Sequence, residues 1–470
     1  MIFGDLADGL TRGVETTVNT VSEAFFEPVI RLGVTGLSRS GKTIFITSLV
    51  ANLINSGRMP ALRAAADGRI QAAWLQPQPD DTVPRFDYEA HLAAMTGTNA
   101  VWPEGTTGIS ELRLSFRVQP GGILGGVTGP KTLHLDIVDY PGEWLLDLGL
   151  LDRNFENWSQ ETLTRLESRS EAENYREVLT GTDGEAKLDE VVAKKLADAF
   201  SDYLRAARES GYSDCTPGRF LLPGDLRGSP VLTFAPLPKG SYSRGTLGRE
   251  FSRRFEAYKR QVVKPFFRDY FARIDRQIVL VDVLGAIHAG PKAVEDMRHA
   301  LGDILGAFRP GRNAFLRQIF LGRRVEKILF AATKADHLHH SQHKQMTAIS
   351  DALLADAKSR ADFAGADTAA MSIAALRATT EDQIDRDGNV LDAVRGVLQD
   401  NGKPAAFYPG RLPDDPARLL TPARRGEDRW LEADYEFMSF APQPLELKPG
   451  DGPPHIRLDR AAEFLIGDRL

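Results

Sequence analysis

Gly36-Leu-Ser-Arg-Ser-Gly41-Lys42-Thr43 sets two glycines, a lysine and a hydroxyl at the spacing G-x-x-x-x-G-K-[ST]. Each type answers a need of phosphate chemistry. Gly36 and Gly41 let the backbone curl so that successive N–H groups, those of Ser38, Arg39 and Ser40 among them, point inward at phosphate oxygens. Lys42 brings a point charge to the β- and γ-phosphates, and the Thr43 hydroxyl is a ligand for Mg²⁺. Ile44 continues into a helix whose positive N-terminal end faces the same anion.

Three further stretches belong to this chemistry. Thr132–Val138 followed by Asp139-Tyr-Pro-Gly142 is an apolar strand running into D-x-x-G. Asp139 is placed to hold a Mg²⁺-bound water, and Gly142 to turn its N–H toward a γ-phosphate. Asp136, earlier in the strand, reads as structural. Ala331-Ala-Thr333-Lys334-Ala335-Asp336 ends another apolar strand as T-K-x-D. The Asp336 carboxylate would accept from guanine N1–H and the exocyclic amine, a pairing adenine lacks, while the Lys334 stem lies along the base. Ala374-Ala-Leu376 follows the next strand, and the backbone of Ala375 and Leu376 would meet the guanine oxygen. Between the P-loop helix and the next strand, Trp102-Pro-Glu-Gly-Thr106-Thr107 offers a second hydroxyl for Mg²⁺. Thr106 is taken ahead of Thr107. Lys42, Thr106, Gly142 and Glu143 are the candidate catalytic groups; Thr43, Thr106 and Asp139 are the candidate metal ligands.

These groups need a scaffold that brings strand ends together. Strand signals fall at Ile30–Thr35, Ile109–Val118, Thr132–Val138, Gln277–Val283, Val325–Ala332 and Ala369–Leu376, and a helical pattern runs from Lys42 to Ser56 with Gly57 as its C-cap. Buried strands alternating with helices predict an α/β fold with a doubly wound, mostly parallel sheet. Residues 58–105 read as irregular. From 149 to 275 charges recur every two or three positions with helical periodicity at Glu185–Ala207 and Arg249–Ile274, which predicts a mainly helical insertion between the third and fourth strands. Asp387-Gly-Asn389 predicts a hairpin turn. Beyond residue 400 the chain is Pro- and Arg-rich up to a terminal helix at Leu458–Leu470. The expected division is an N-terminal helix (1–29), a nucleotide-binding domain (30–148 and 276–400), the helical insertion (149–275) and a C-terminal extension (401–470).

A chain of 470 residues exceeds one ordinary core, and 26% charged residues with 42% hydrophobic ones is globular composition. A net charge of −6 argues against broad nucleic-acid binding. The single cysteine, Cys215, cannot form an internal disulfide, which fits a reducing cytoplasm. Asp5, Asp8 and Glu15 are wrong for a signal peptide, and no stretch has the length and apolarity to span a membrane.

The P-loop, Asp139-Tyr-Pro-Gly-Glu-Trp-Leu145, Trp102-Pro with Thr106, and Thr333-Lys-Ala-Asp336 together resemble the bacterial YcjX family. That family consists of stress-associated, Ras-like P-loop GTPases with an added helical domain. The resemblance covers nearly the whole chain, including Phe464-Leu-Ile-Gly-Asp-Arg-Leu470. It implies a Ras-like domain with Lys42, Thr43, Thr106, Asp139, Gly142, Lys334 and Asp336 in the nucleotide and Mg²⁺ roles, and a cytoplasmic stress-response function. Two positions depart from the wider G-protein pattern. Glu143 stands where many carry a water-orienting Gln, and its charge opposes the γ-phosphate. Thr333 stands where Asn braces the base. No arginine has a clear claim to a finger role, with Arg39, Arg113 and the arginines of the insertion all conceivable. The expected activity is slow GTP hydrolysis as a switch, on the order of 10⁻⁴ to 10⁻² per second, with GTP and GDP as ligands and an unidentified protein effector or activator. The alternatives are a P-loop kinase and a nucleotide-stabilised interaction protein with little turnover.

Overall fold

The computed structural model describes residues 27–470 except 37–39, 106–107, 122–128, 213, 307–324, 356–364, 387 and 431–434. Residues 1–26 of the expected N-terminal helix, Ser38, Arg39, Thr106 and Thr107 lie outside the described residues, and residues 27–29 are not helical, Val29 being already in a strand. The strands of the main sheet are β1 (Val29–Gly36), β2 (Ile70–Gln76), β3 (Ser110–Val118), β4 (Lys131–Asp139), β5 (Arg276–Val281), β6 (Lys327–Ala332) and β7 (Asp367–Ser372). They lie side by side in the order β2-β3-β4-β1-β5-β6-β7. β1, β4, β5, β6 and β7 pair in parallel, whereas β2–β3 and β3–β4 are antiparallel. The central strands are apolar on both faces because helices cover both; every residue of β5 is buried.

One face packs on α1 (Lys42–Ile54) and on the last helix, α11 (Leu458–Ile466). Leu458, Ala461, Leu465 and Ile466 share a core with Phe45, Leu49 and Leu135, so the far end of the chain returns beside the P-loop helix. Asp468 secures that return by pairing with Arg276 of β5 (2.9 Å) and Lys327 of β6 (2.8 Å). On the other face lie α7 (Val283–Ala289), α8 (Pro291–Gly306) and α9 (His343–Leu353). That core continues without a break into the helical block.

The block carries α3 (Glu143–Leu146), α4 (Phe155–Leu166), α5 (Glu190–Glu209) and α6 (Leu247–Tyr258). Trp158 of α4 stacks on Phe255 of α6 at 5.0 Å and meets Phe200 of α5 edge-on at 6.0 Å. Tyr140 and Trp144 link this aromatic centre to the sheet through Phe266, with ring centroids 5.8 and 5.5 Å apart. The last part of the chain adds a three-stranded antiparallel sheet of β8 (Thr380–Arg386), β9 (Asn389–Val397) and β10 (Pro404–Phe407), and then α10 (Ala417–Arg425). The expected hairpin is there as β8–β9.

Three expectations are corrected. Residues 58–105 are not irregular: they hold β2, a short helix at Arg63–Ala66, and α2 (Tyr88–Thr96). The run Ile-Gln-Ala-Ala-Trp-Leu-Gln has little strand propensity of its own and becomes a strand by pairing at the sheet edge with β3. The helical block therefore follows the fourth strand in sequence, not the third. The C-cap of α1 is Asn55, not Gly57. Gly57 instead donates its N–H to the Gly450 carbonyl (3.0 Å), where a Cβ would run into Gly450 and Asp451.

Candidate functional site

β1 ends at Gly36 between two parallel partners, with Val34 opposite Asp139 of β4 and Gly36 opposite Leu280 of β5. A Cβ on Gly36 would collide with the Ser40 hydroxyl and the Leu280 carbonyl, so only glycine lets the chain turn there. Gly41 has φ 78°, a left-handed conformation that directs the chain into α1. Both glycines of the motif thus have separate steric reasons. Ser40 Oγ is buried and has no hydrogen-bond partner among the described residues. Lys42 Nζ donates to the Gly36 carbonyl at 3.3 Å, which holds the ammonium at the end of β1. Thr43 Oγ1 donates to the Glu104 carbonyl at 3.5 Å, so the segment leading to Thr106 runs past the P-loop.

Asp139 is buried at the carboxyl end of β4, beside the P-loop strand. Asp136, three positions earlier, is committed elsewhere: it takes its cross-strand neighbour Arg113 in a two-point ion pair (2.6 and 2.8 Å). That pair also ties Arg113 to the sheet and removes it from the finger candidates. After Asp139 the backbone turns, and Gly142 lies directly against Gly36; a Cβ on Gly142 would overlap the Gly36 carbonyl oxygen. The two glycine-bearing motifs, distant in sequence, are in van der Waals contact.

The residues that follow are held by the helical block. Tyr140 donates its hydroxyl to Gln277 Oε1 of β5 (2.8 Å). The Trp144 ring carries the Arg219 guanidinium at 3.3 Å over its face and donates its N–H to the Leu222 carbonyl (3.3 Å). Gly218 presses on the Glu143 carbonyl so closely that a Cβ there would clash. Asp147 accepts from Gly218 N–H (2.8 Å) and from the Tyr258 hydroxyl (2.5 Å). Burial pushes its carboxyl up to about 7, although both of these hydrogen bonds pull the other way. Glu143 itself is buried, and Arg208 in the last turn of α5 faces it at 3.0 Å.

Beyond the end of β6, Lys334 has φ 60° and pairs with Asp282, which follows β5 and caps α7 through Gly285 N–H (3.0 Å). Thr333 donates N–H (2.9 Å) and hydroxyl (3.3 Å) to the Val281 carbonyl, a bracing role for the residue that replaces Asn. Asp336 is buried; its Oδ2 accepts from Ala378 N–H (2.9 Å), and its own carbonyl accepts from the Thr379 hydroxyl. Ala335 N–H bonds the Ile373 carbonyl (3.0 Å), bringing the Asp336 loop beside the loop of Ala375 and Leu376. Ala374 in turn exchanges hydrogen bonds with Ile456 (3.1 and 2.8 Å), so the segment ahead of α11 backs this loop.

Sequence reasoning named the residues at the strand ends. It missed Arg208, Gly218, Arg219 and the roles of Tyr140, Trp144 and Asp147. The aromatic pair in Asp-Tyr-Pro-Gly-Glu-Trp was a signal that the segment is anchored. Arg208 carries none, being one arginine among many in a charged helix.

A family model described as the YcjX-like family, DUF463, matches residues 30–470. The Ras-like GTPase YcjX of Escherichia coli (strain K12) is 40% identical over 458 residues, which cover 94% of this chain and 96% of that protein. The Ras-like GTPase YcjX of Shewanella oneidensis (strain MR-1) is 34% identical over 468 residues, covering 94% of each. With its mostly parallel seven-stranded sheet, flanking helices and P-loop, the chain has a Ras-like P-loop α/β fold. Among the described residues no helix is long and apolar enough to cross a membrane.

Proposed function

The chain belongs to the YcjX-like family, and we propose that it binds GTP with Mg²⁺ and hydrolyses it slowly as a conformational switch. The observation that carries this reading is the seating of Gly142 on Gly36. A γ-phosphate held by the P-loop falls where these two motifs meet, so its arrival or loss bears directly on the segment from Asp139 to Asp147.

In this reading the amides of residues 36–43 and the Lys42 ammonium hold the polyphosphate. The buried, unpartnered Ser40 hydroxyl is a group that a phosphate oxygen would satisfy. Mg²⁺ suits the donor set, which is all oxygen: Thr43 hydroxyl, the Asp139 carboxylate through water, and Thr106. The Thr43 hydroxyl bond to Glu104 is long at 3.5 Å and costs little to redirect. The ion would supply charge neutralisation at the β- and γ-phosphates. Water attacks the γ-phosphorus, the bond to the β–γ bridging oxygen breaks, and GDP leaves with that electron pair. Gly142 N–H faces the γ-phosphate, and Glu143 orients the attacking water. Asp336 selects guanine, with the backbone of Ala375 and Leu376 at the base oxygen and Lys334 along its plane.

The test is nucleotide binding and turnover by purified protein with Mg²⁺. GTP and GDP should bind more tightly than ATP and ADP, with slow phosphate release. ATP binding equal to that of GTP would remove the guanine assignment, and no binding of either would remove the whole reading. A place in a bacterial stress response is the outer part of the same proposal. Its test is growth of a deletion strain under heat and envelope stress; growth equal to the parent in all conditions would reject it.

A further inference from the structure

Glu143 occupies the position after D-x-x-G, and its charge is the awkward feature of a site meant for a triphosphate. Its carboxylate is buried, and neither oxygen has a hydrogen-bond partner among the described residues. A buried, uncompensated carboxylate is a costly arrangement and calls for a counter-charge. That counter-charge is Arg208, whose Nη2 lies 3.0 Å from Glu143 Oε1. The pair forms without hydrogen-bond geometry, so it acts by charge more than by direction. Arg208 sits in the last turn of α5, where the helix itself favours a cation, and its side chain is 31% exposed against 5% for Glu143.

The backbone of Glu143 leaves the carboxylate little freedom to move away. Gly142 is seated on Gly36, Gly218 presses on the Glu143 carbonyl, and Trp144 is clasped by Arg219, Leu222 and Phe266. Glu143 is therefore held one residue from the contact of Gly142 with Gly36, where a γ-phosphate would arrive.

We propose that Arg208 is a positioning residue for the triphosphate state: it neutralises Glu143, which lets the P-loop accept a γ-phosphate and makes the insertion part of the nucleotide sensor. This rests on the nucleotide reading above and adds a role that the P-loop does not supply. GDP lacks the γ-phosphate that the Glu143 charge would oppose, so loss of Arg208 should penalise GTP far more than GDP.

The experiment measures affinities for GDP and for a non-hydrolysable GTP analogue with Mg²⁺. The proteins are wild type, Arg208→Ala, Arg208→Lys, Glu143→Gln and the double variant Arg208→Ala/Glu143→Gln. Arg208→Ala should lower the ratio of analogue affinity to GDP affinity by about tenfold or more. Arg208→Lys should recover most of the ratio, since the charge is kept. The double variant should return it close to the wild-type value, because no buried charge remains to be neutralised. A purely structural Arg208 would weaken both nucleotides equally, lower the melting temperature and gain nothing from Glu143→Gln; that pattern overturns the proposal. An unchanged ratio in Arg208→Ala beside normal wild-type binding also overturns it, alone. Absence of nucleotide binding by the wild-type protein would overturn the proposed function and this role with it. Should Arg208→Ala fail to fold, Arg208→Lys and Glu143→Gln decide: Glu143→Gln must raise the ratio or hold it in wild type, and a fall in it rejects the idea.

Discussion

The Gly142 α-carbon rests on the Gly36 carbonyl with no space for a side chain between them. This contact joins the end of β1 to the end of β4 and sets the distance between the phosphate loop and everything that Trp144 and Asp147 attach to the helical block.

Replacing Gly142 by Ala forces a methyl group into that contact, and a misfit of this kind costs about 1–3 kcal/mol. GTP turnover should fall by about tenfold or more, with GDP affinity changed much less. Steady-state phosphate release together with GDP titration checks this; unaltered turnover would show that the two motifs need not stay in contact.

The Lys42 ammonium lies on the Gly36 carbonyl. Lys42→Ala should weaken both GTP and GDP by roughly 10- to 100-fold, the worth of a charged hydrogen bond or two to phosphate. Isothermal titration reads it directly. Retained affinity would place the phosphates somewhere other than residues 36–43.

Asp336 is buried, tied to Ala378 N–H, and aimed by its own loop. Asp336→Ala should reduce the preference for GTP over ATP by roughly 10- to 100-fold, mainly through weaker GTP binding. Competition of the four nucleotides against a labelled GDP would measure it, and an unaltered preference would count against Asp336 as the base selector.

Asp147 links α3 to Gly218 and Tyr258 with a carboxyl raised to about 7 from the ordinary 3.8. The folded state therefore holds a proton that the unfolded chain has released. The stability it contributes is full below about pH 4 and is lost as pH rises toward 7, on the order of 4 kcal/mol at most. Asp147→Asn keeps a neutral acceptor and should flatten this part of the stability curve between pH 4 and 7. Denaturant melts of both proteins across that range test it; Glu111, raised to about 7 by its own burial, contributes equally to both and cancels. Parallel curves would reject the linkage.

The candidate site is legible in the chain where the local backbone geometry is demanding. Gly36 and Gly41 are needed because a Cβ or a negative φ would break the loop, and such needs leave glycines at set spacings. Asp139 and Asp336 come at or just after the ends of apolar strands and Thr43 at the start of α1, so that these elements carry them. Where an element exists only because of a neighbour, the chain gave little sign. β2 is formed by β3, and α11 joins the P-loop helix only after a long excursion through β8, β9, β10 and α10.

By itself, then, the sequence determined the phosphate loop, the strands that end in acidic residues, and the helical character of the insertion, since all of these are written in short-range spacing and periodicity. Tertiary structure alone decided that Arg208 faces Glu143, that Asp147 meets Tyr258, and that Gly142 touches Gly36. Those contacts join residues distant along the chain, and no spacing rule encodes which buried charge a particular arginine will find. Packing makes that choice, because burying the Glu143 carboxylate leaves it in need of a cation and the fold of the helical block determines which cation reaches it.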